Sequence, residues 1–434
     1  MADPHDGRIP TGRFGRIGRI AGMATRVGAG LAKDRVKRLL GRSESSAAME
    51  AAARHVLETL GTLKGAALKA GQTLSLFANT LPPEVRLVLG KLYSQAPTLP
   101  FAEIAKVIEA ELGASPDALF AEISREPLAA ASLGQVHAAR LHGGERVAVK
   151  VQYPGVGAAL EDDLRNLGTV MKAVGVVIDS AAYLEEIRRE VTLELDYTKE
   201  RERLEAFRGY LARWPDLVVP RAWPELSAKR VLTLELLEGP TLNQAAETID
   251  AMPEAERWHR ADQLVRAGWG PLLYDRVVHA DAHPGNYVLM TDGRLGVLDF
   301  GNVKYLSEPF WRAVRSALKV LVEDRHEVDW IALHRAGGFE IRNPNARTLE
   351  LFETIRTIAR RPVEGVHDFG TDTTLVDLAG LKMKYPFELL SIQPPAEALF
   401  VARGLAGVLQ NLTTLKAKGD LRPFFRTALA ETRA

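Results

Sequence analysis

Apolar positions along this chain fall into blocks of different period. From Ser46 to Ala78 they recur at Val56, Leu57, Leu60, Leu63, Ala67, Leu68, Leu74 and Phe77, the three-and-four spacing of one helix face. Leu81-Pro82-Pro83 ends that helix, and two more helical stretches are expected at 84–93 and 101–112. Between Leu128 and Val151 the period shifts to two, with Gly and Ser between the apolar runs, which predicts strand, loop, strand, hairpin, strand. Helical periodicity returns over 156–178 and 181–212. A strand follows from Arg230 into Glu238-Gly239-Pro240, then an apolar helix over 255–275. Tyr287–Met290 and Leu295–Leu298, joined by Thr-Asp-Gly, read as a short hairpin, and a helix is expected over 309–323. Residues 325–434 read as entirely helical, broken at Pro344, Pro362, Pro386 and Pro394-Pro395.

Length and composition narrow the classes that such a pattern serves. With 434 residues the chain has room for two or three domains, and we expect a basic segment at 1–43, a helical extension at 44–115, a strand-bearing lobe with inserted helices at 116–237 and a helical lobe at 238–434. Lys and Arg number 56 against 55 Asp and Glu, a balance that offers no global attraction to nucleic acid. Zero cysteines exclude disulfides, thiol nucleophiles and Cys-ligated metal, and fit an intracellular protein. No run of 18 uncharged apolar residues occurs, so no transmembrane helix is expected.

The first 43 residues are the strongly basic exception, with ten Lys or Arg against Asp3, Asp6 and Asp34. Phe14, Ile17, Ile20, Met23, Val27 and Leu31 would line one face of a helix there, a composition suited to an anionic membrane surface. Eight glycines oppose helix formation, so a solvated tail and a helix packed on the body stand beside lipid contact.

Chemistry concentrates between His279 and Gly301. His-Ala-Asp-Ala-His-Pro-Gly-Asn, the hairpin and Asp-Phe-Gly place Asp281, Asn286 and Asp299 in the order and spacing of a kinase-type catalytic loop followed by a metal-binding Asp. Asp281 is the carboxylate near an acceptor. Asn286 and Asp299 are hard oxygen ligands suited to Mg2+. Upstream, Ala129-Ala130-Ala131-Ser132-Leu133-Gly134-Gln135-Val136 aligns with a kinase glycine-rich loop at Gly134 and Val136, with alanines where glycines are usual. Lys150 in Val-Ala-Val-Lys takes the place of the strand lysine that grips nucleotide phosphates. Glu194, Asp196 and Glu200 are candidate partners for it, and spacing does not choose among them. The backbone near Leu237 would meet an adenine edge. The segment after Gly301 reaches the next helix within about ten residues and holds no Ala-Pro-Glu element, which argues against a peptide substrate.

Taken together, Lys69-Ala-Gly-Gln72, the Ala-rich loop, Val-Ala-Val-Lys150, Glu194-Leu-Asp196, the His279–Asn286 loop and Asp299-Phe-Gly resemble the UbiB/AarF family of atypical kinases, which includes mitochondrial proteins needed for coenzyme Q synthesis. The resemblance covers most of the chain and implies an α+β, bilobal protein-kinase-like fold with an N-terminal helical extension and a helix-rich C-terminal lobe. It assigns Lys150 to the phosphates, Glu200 to pairing with Lys150, Ala129–Val136 and Leu237 to the nucleotide, and Asn286 and Asp299 to Mg2+. Lys69 and Gln72 would lie across the site as regulatory residues, with Lys69 facing Glu194 and Asp196. The implied cofactors are ATP or ADP with Mg2+, and the implied activity is ATP hydrolysis or phosphorylation of a small or lipid-like acceptor in ubiquinone or related lipid metabolism. Expected partners are the nucleotide, an anionic membrane surface and quinone-pathway intermediates or enzymes, at a cytoplasmic or peripheral inner-membrane location. A phosphotransferase of aminoglycoside or choline kinase type and a nucleotide-gated, non-catalytic scaffold are the competing readings.

Overall fold

The computed structural model describes residues 98–131, 133–157 and 195–431. The basic segment 1–43, the helices expected at 46–78 and 84–93, nearly all of 156–178 and the first half of 181–212 lie outside the described residues. Two compact units make up the chain: Met1–Tyr197 with Pro224–Thr233, and Thr198–Trp223 with Leu234–Ala434.

An antiparallel sheet organises the first unit. Strands Gly134–Arg140 and Arg146–Gln152 pair along their full lengths, from Gly134 opposite Gln152 to Arg140 opposite Arg146. In the second strand Val147, Val149 and Val151 are completely buried while Ala148 and Lys150 face the other way, the two-residue alternation that a half-buried strand requires. Ala129–Ala131 and Glu122–Ile123 pair with the start and the end of Gly134–Arg140. Val231–Glu235 lies beside Arg146–Gln152. Gly134 permits the turn to cross this sheet: a Cβ there would stand 2.0 Å from the Val151 carbonyl oxygen, and backbone at that depth has nowhere to move. The helix Phe101–Leu112 buries Ile104, Val107 and Ile108, and Gly113, at φ +78°, ends it in the left-handed conformation that costs glycine nothing. Glu111 near the end of that helix accepts from both the backbone N–H (2.9 Å) and the Nε (2.8 Å) of Arg230, tying the helix to the strand that follows.

Helices dominate the second unit. Glu254–Asp275 is its central element, with Ala261, Leu264, Val265 and Leu273 wholly buried, and it stops where Arg276 turns left-handed at φ 60°. The Arg276 guanidinium then donates to the Leu306 carbonyl at 3.0 Å. Leu272, Val278, Ala280, Leu306, Phe310, Phe400 and Val401 form one core cluster joining this helix to Glu308–Glu323 and Ala396–Thr414. Two short ladders sit on that core. Val277–His279 pairs with Val303–Tyr305, and the hairpin Tyr287–Leu289 with Leu295–Val297 gains a parallel partner in Leu217–Val218. The expectation that 325–434 is entirely helical is corrected here: Glu340–Ile341 pairs with Ile392–Gln393, and Val366–Asp368 with Lys418–Asp420. Strands of two or three residues are too short to show an alternating pattern, and their partners lie far along the chain. Among the described residues no helix is long and apolar enough to cross a membrane.

Candidate active site

The second unit holds the loop from His279 to Gly301. His279 ends its strand fully enclosed, between Phe207 (ring centroids 5.7 Å apart) and Phe300 (5.6 Å), and these two phenyl rings lie 4.9 Å from each other. Its Nε2 lies 2.7 Å from the Asp299 carbonyl oxygen. A carbonyl only accepts, so Nε2 carries a proton, and among the described residues the buried Nδ1 has no hydrogen-bond partner. Arg203, one turn before Phe207 on the helix Tyr197–Leu211, donates to the Gly301 carbonyl at 2.5 Å. The Asp-Phe-Gly segment is thus gripped through its ring and through two of its carbonyls. Asp299 itself sits at φ +35°, a conformation that costs a non-glycine residue about 1–3 kcal/mol, and its Oδ1 accepts from the Gly301 N–H at 2.8 Å.

Asp281 and Asn286 are joined by the turn between them. The Asn286 side-chain amide donates to the Asp281 carbonyl at 3.1 Å and to its Oδ2 at 3.3 Å. His283 caps the intervening 3-10 turn, its Nδ1 accepting from the Gly285 N–H at 3.0 Å. With both amide hydrogens committed, Asn286 keeps Oδ1 as an acceptor, and among the described residues no group donates to it. The Leu298 N–H then donates to the Asn286 carbonyl at 2.8 Å, so the hairpin returns the chain to Asn286 one residue before Asp299. Arg260, whose guanidinium is nearly buried, clamps the hairpin's turn by donating to the carbonyls of Gly293 (2.6 Å), Arg294 (2.9 Å) and Met290 (3.2 Å). Burial, followed by the negative charge of Asp281, pushes the Tyr287 phenol well above its usual range.

Leu237 packs its side chain against Val288 and Met290, 8% exposed. Among the described residues neither its N–H nor its carbonyl finds a backbone partner. Glu200 is 6% exposed on the helix Tyr197–Leu211. Asp196 precedes that helix, so the helix expected over 181–212 is corrected at this point: the chain turns at Leu195 and Asp196 is not helical.

In the first unit, Lys150 lies opposite Val136 in the ladder, and its Nζ stands 4.9 Å from the centre of the buried Tyr197 ring. Ala129, Ala130 and Ala131 pair with Val136, Gln135 and Gly134, so the Ala-rich loop is a tight hairpin rather than an open flap. Ser132, Lys69, Gln72 and Glu194 lie outside the described residues.

One neighbour of Asp281 escaped the sequence reading. Arg403, from the helix Ala396–Thr414, donates through Nη2 to Asp281 Oδ1 at 3.0 Å. The only signal available was an arginine in an otherwise apolar helix stretch, Ala-Leu-Phe-Val-Ala-Arg-Gly-Leu-Ala-Gly, whose pattern predicts a helix and no more.

Comparison with known proteins identifies the family. A family described as the ABC1 atypical kinase-like domain matches residues 91–329. The mitochondrial atypical kinase COQ8B of Rattus norvegicus is 31% identical over 96% of this chain and 81% of its own length, and COQ8B of Danio rerio is 29% identical over 96% and 68%. Among solved structures, Rv3197 of Mycobacterium tuberculosis, determined in complex with erythromycin, superposes with a TM-score of 0.61 at 26% identity, covering 92% of this chain and all of that one. The matched family includes the catalytic-loop and Asp-Phe-Gly residues described above, and the chain belongs to the ABC1 atypical kinases, the UbiB/AarF group its motifs resemble.

Proposed function

We propose that the protein is an ATP-dependent atypical kinase or ATPase that transfers a phosphoryl group to water or to a small, lipid-like acceptor in support of isoprenoid quinone metabolism. The observation that carries this reading is that Asn286 bonds Asp281 while the clamped hairpin of the second unit returns the chain to Asn286 one residue before Asp299. Among the described residues no three His, Asp or Glu side chains converge on a metal site of their own. That suits Mg2+, which takes one or two protein oxygens and completes its octahedron with phosphate and water. Asn286 Oδ1 and the Asp299 carboxylate are the groups to hold it, and when bound it neutralises charge on the β- and γ-phosphates. As the family resemblance implies, Lys150 is assigned to the phosphates, Glu200 to the lysine and the backbone of Leu237 to the base. Ala129–Val136 is likewise assigned to the nucleotide.

Asp281 orients the acceptor oxygen. Phosphoryl transfer asks the protein mainly for position and charge, which a carboxylate held at both oxygens supplies. Lys69, Gln72, Glu194 and Asp196 are assigned regulatory roles on the strength of the family resemblance alone. The quinone context rests on the relatives named COQ8B.

Purified protein given Mg-ATP is expected to release phosphate, and Asp281→Asn, which keeps the shape and removes the charge, should lower the rate by about 10²-fold or more. Equal rates in the two proteins refute an enzymatic role, and thermal stabilisation by Mg-ATP without release assigns the protein to nucleotide-gated binding.

A further inference from the structure

The loop His279–Asn286 contains no lysine or arginine, yet its acidic residue does not stand alone. Arg403, 122 residues further along, donates to Asp281 Oδ1 at 3.0 Å, while Asn286 occupies Oδ2 at 3.3 Å. The pair is partly shielded, the arginine side chain 27% and the aspartate 34% exposed. Arg403 belongs to a helix face built to lie on this loop. Eight residues on, the fully buried Asn411 donates from Nδ2 to the Ala282 carbonyl at 2.9 Å. Between them Gly407 meets the loop backbone: a Cβ there would stand 2.7 Å from the Ala282 Cβ. Positions 403, 407 and 411 are spaced by four, so cation, gap and amide form one stripe pressed against residues 281 and 282.

We propose that Arg403 is a positioning residue for phosphoryl transfer, which fixes the rotamer of Asp281 from behind and makes the helix Ala396–Thr414 part of the catalytic apparatus; this rests on the reading of Asp281 given above. Two oxygens held by donors on different elements leave the carboxylate little torsional freedom. Release of one lets it swing about its Cα–Cβ bond by distances of about an ångström, enough to cost on the order of 10²-fold in rate. Nucleotide binding does not run through this contact, so the loss should fall on kcat.

The test uses the full chain with Arg403→Ala, Arg403→Lys, Asp281→Asn and the double variant Asp281→Asn with Arg403→Ala. Expected for Arg403→Ala are a kcat for phosphate release reduced on the order of 10²-fold, an unchanged affinity for a non-hydrolysable Mg-ATP analogue, and partial recovery in Arg403→Lys, which keeps the charge without the planar fork. On the Asp281→Asn background, Arg403→Ala should change nothing further, because its effect passes through the carboxylate. Additive losses, or a fall in analogue affinity that matches the fall in rate, overturn the proposal. Amide hydrogen exchange supplies a readout independent of turnover: Arg403→Ala should speed exchange across residues 280–287 and leave the helix Glu254–Asp275 unchanged. Unaltered loop exchange refutes the positioning role even in a protein that never hydrolyses ATP, whereas absent turnover in the wild type refutes the enzymatic reading alone.

Discussion

Replacement of Phe207 by alanine tests the packing that holds the Asp-Phe-Gly segment. Phe207 is 1% exposed and touches three rings, Phe300 at 4.9 Å, Tyr210 at 5.6 Å and His279 at 5.7 Å. Truncation removes the transfer free energy of a buried phenyl and leaves a cavity that the surrounding helix and strand cannot close, which for Phe→Ala amounts to about 3–5 kcal/mol. The geometry favours the upper half of that range, because the edge-on contacts with His279 and Tyr210 each contribute roughly 0.5–1.5 kcal/mol beyond burial. Urea unfolding followed by tryptophan fluorescence measures the change. A second consequence is local. With Phe207 gone, Phe300 loses its principal neighbour and the His279 ring one of its two walls, so the bond from His279 to the Asp299 carbonyl weakens and the positive-φ conformation of Asp299 is no longer over-determined. Phosphate release should therefore fall under conditions where the variant remains folded. A destabilisation below about 1 kcal/mol, the level of an ordinary surface-proximal change, together with a wild-type rate, would show that the three-ring cluster does not hold the segment.

Two further predictions follow from the charges. Asp216 is held by both Nη atoms of Arg266, each at 2.7 Å, with Gln263 beside it, and the Arg266 hydrogen bonds pull its carboxyl below the usual carboxylate range, to about 2. A depressed folded-state pKa contributes stability that is complete above the unfolded value and disappears as pH falls through the folded one. Asp216→Asn should thus lower stability by a constant amount, about 1–2 kcal/mol after allowance for solvent screening, above pH ~5, and the gap should close between pH ~4 and ~2. Chemical denaturation across that range checks it, and a pH-independent gap refutes the pairing. The basic residues of segment 1–43 should bind vesicles of anionic lipid with an affinity that falls as salt rises, and cosedimentation that persists after removal of 1–43 would exclude that contact.

Local pattern carried far in this chain. The helix expected over 101–112 is Phe101–Leu112, the helix at 255–275 is Glu254–Asp275, and the hairpin around Thr-Asp-Gly pairs Tyr287–Leu289 with Leu295–Val297. Each is legible because its apolar period and its turn residues lie within one window. The Val-Ala-Val-Lys strand is equally plain, since valines on alternate positions bury one face whatever covers it. The helix start at Tyr197, by contrast, lies inside a stretch of continuous helical periodicity. No proline or glycine marks it, so the order of Asp196 and the helix start could not be read locally.

Sequence alone singled out the His279–Asn286 loop, Asp299-Phe-Gly and the Lys150 strand as candidates, because chemical type and spacing over a few residues are legible in it. Tertiary structure decided what holds them. Phe207 walls His279 and Phe300, Arg260 clamps the turn at Gly293, and Arg403, Gly407 and Asn411 press on Asp281 and Ala282. These contacts join side chains tens to more than a hundred residues apart, and a helix face records only that it is to be buried, not what it meets. An arginine in an apolar helix therefore has no assigned partner until the fold brings a carboxylate to within 3.0 Å of it.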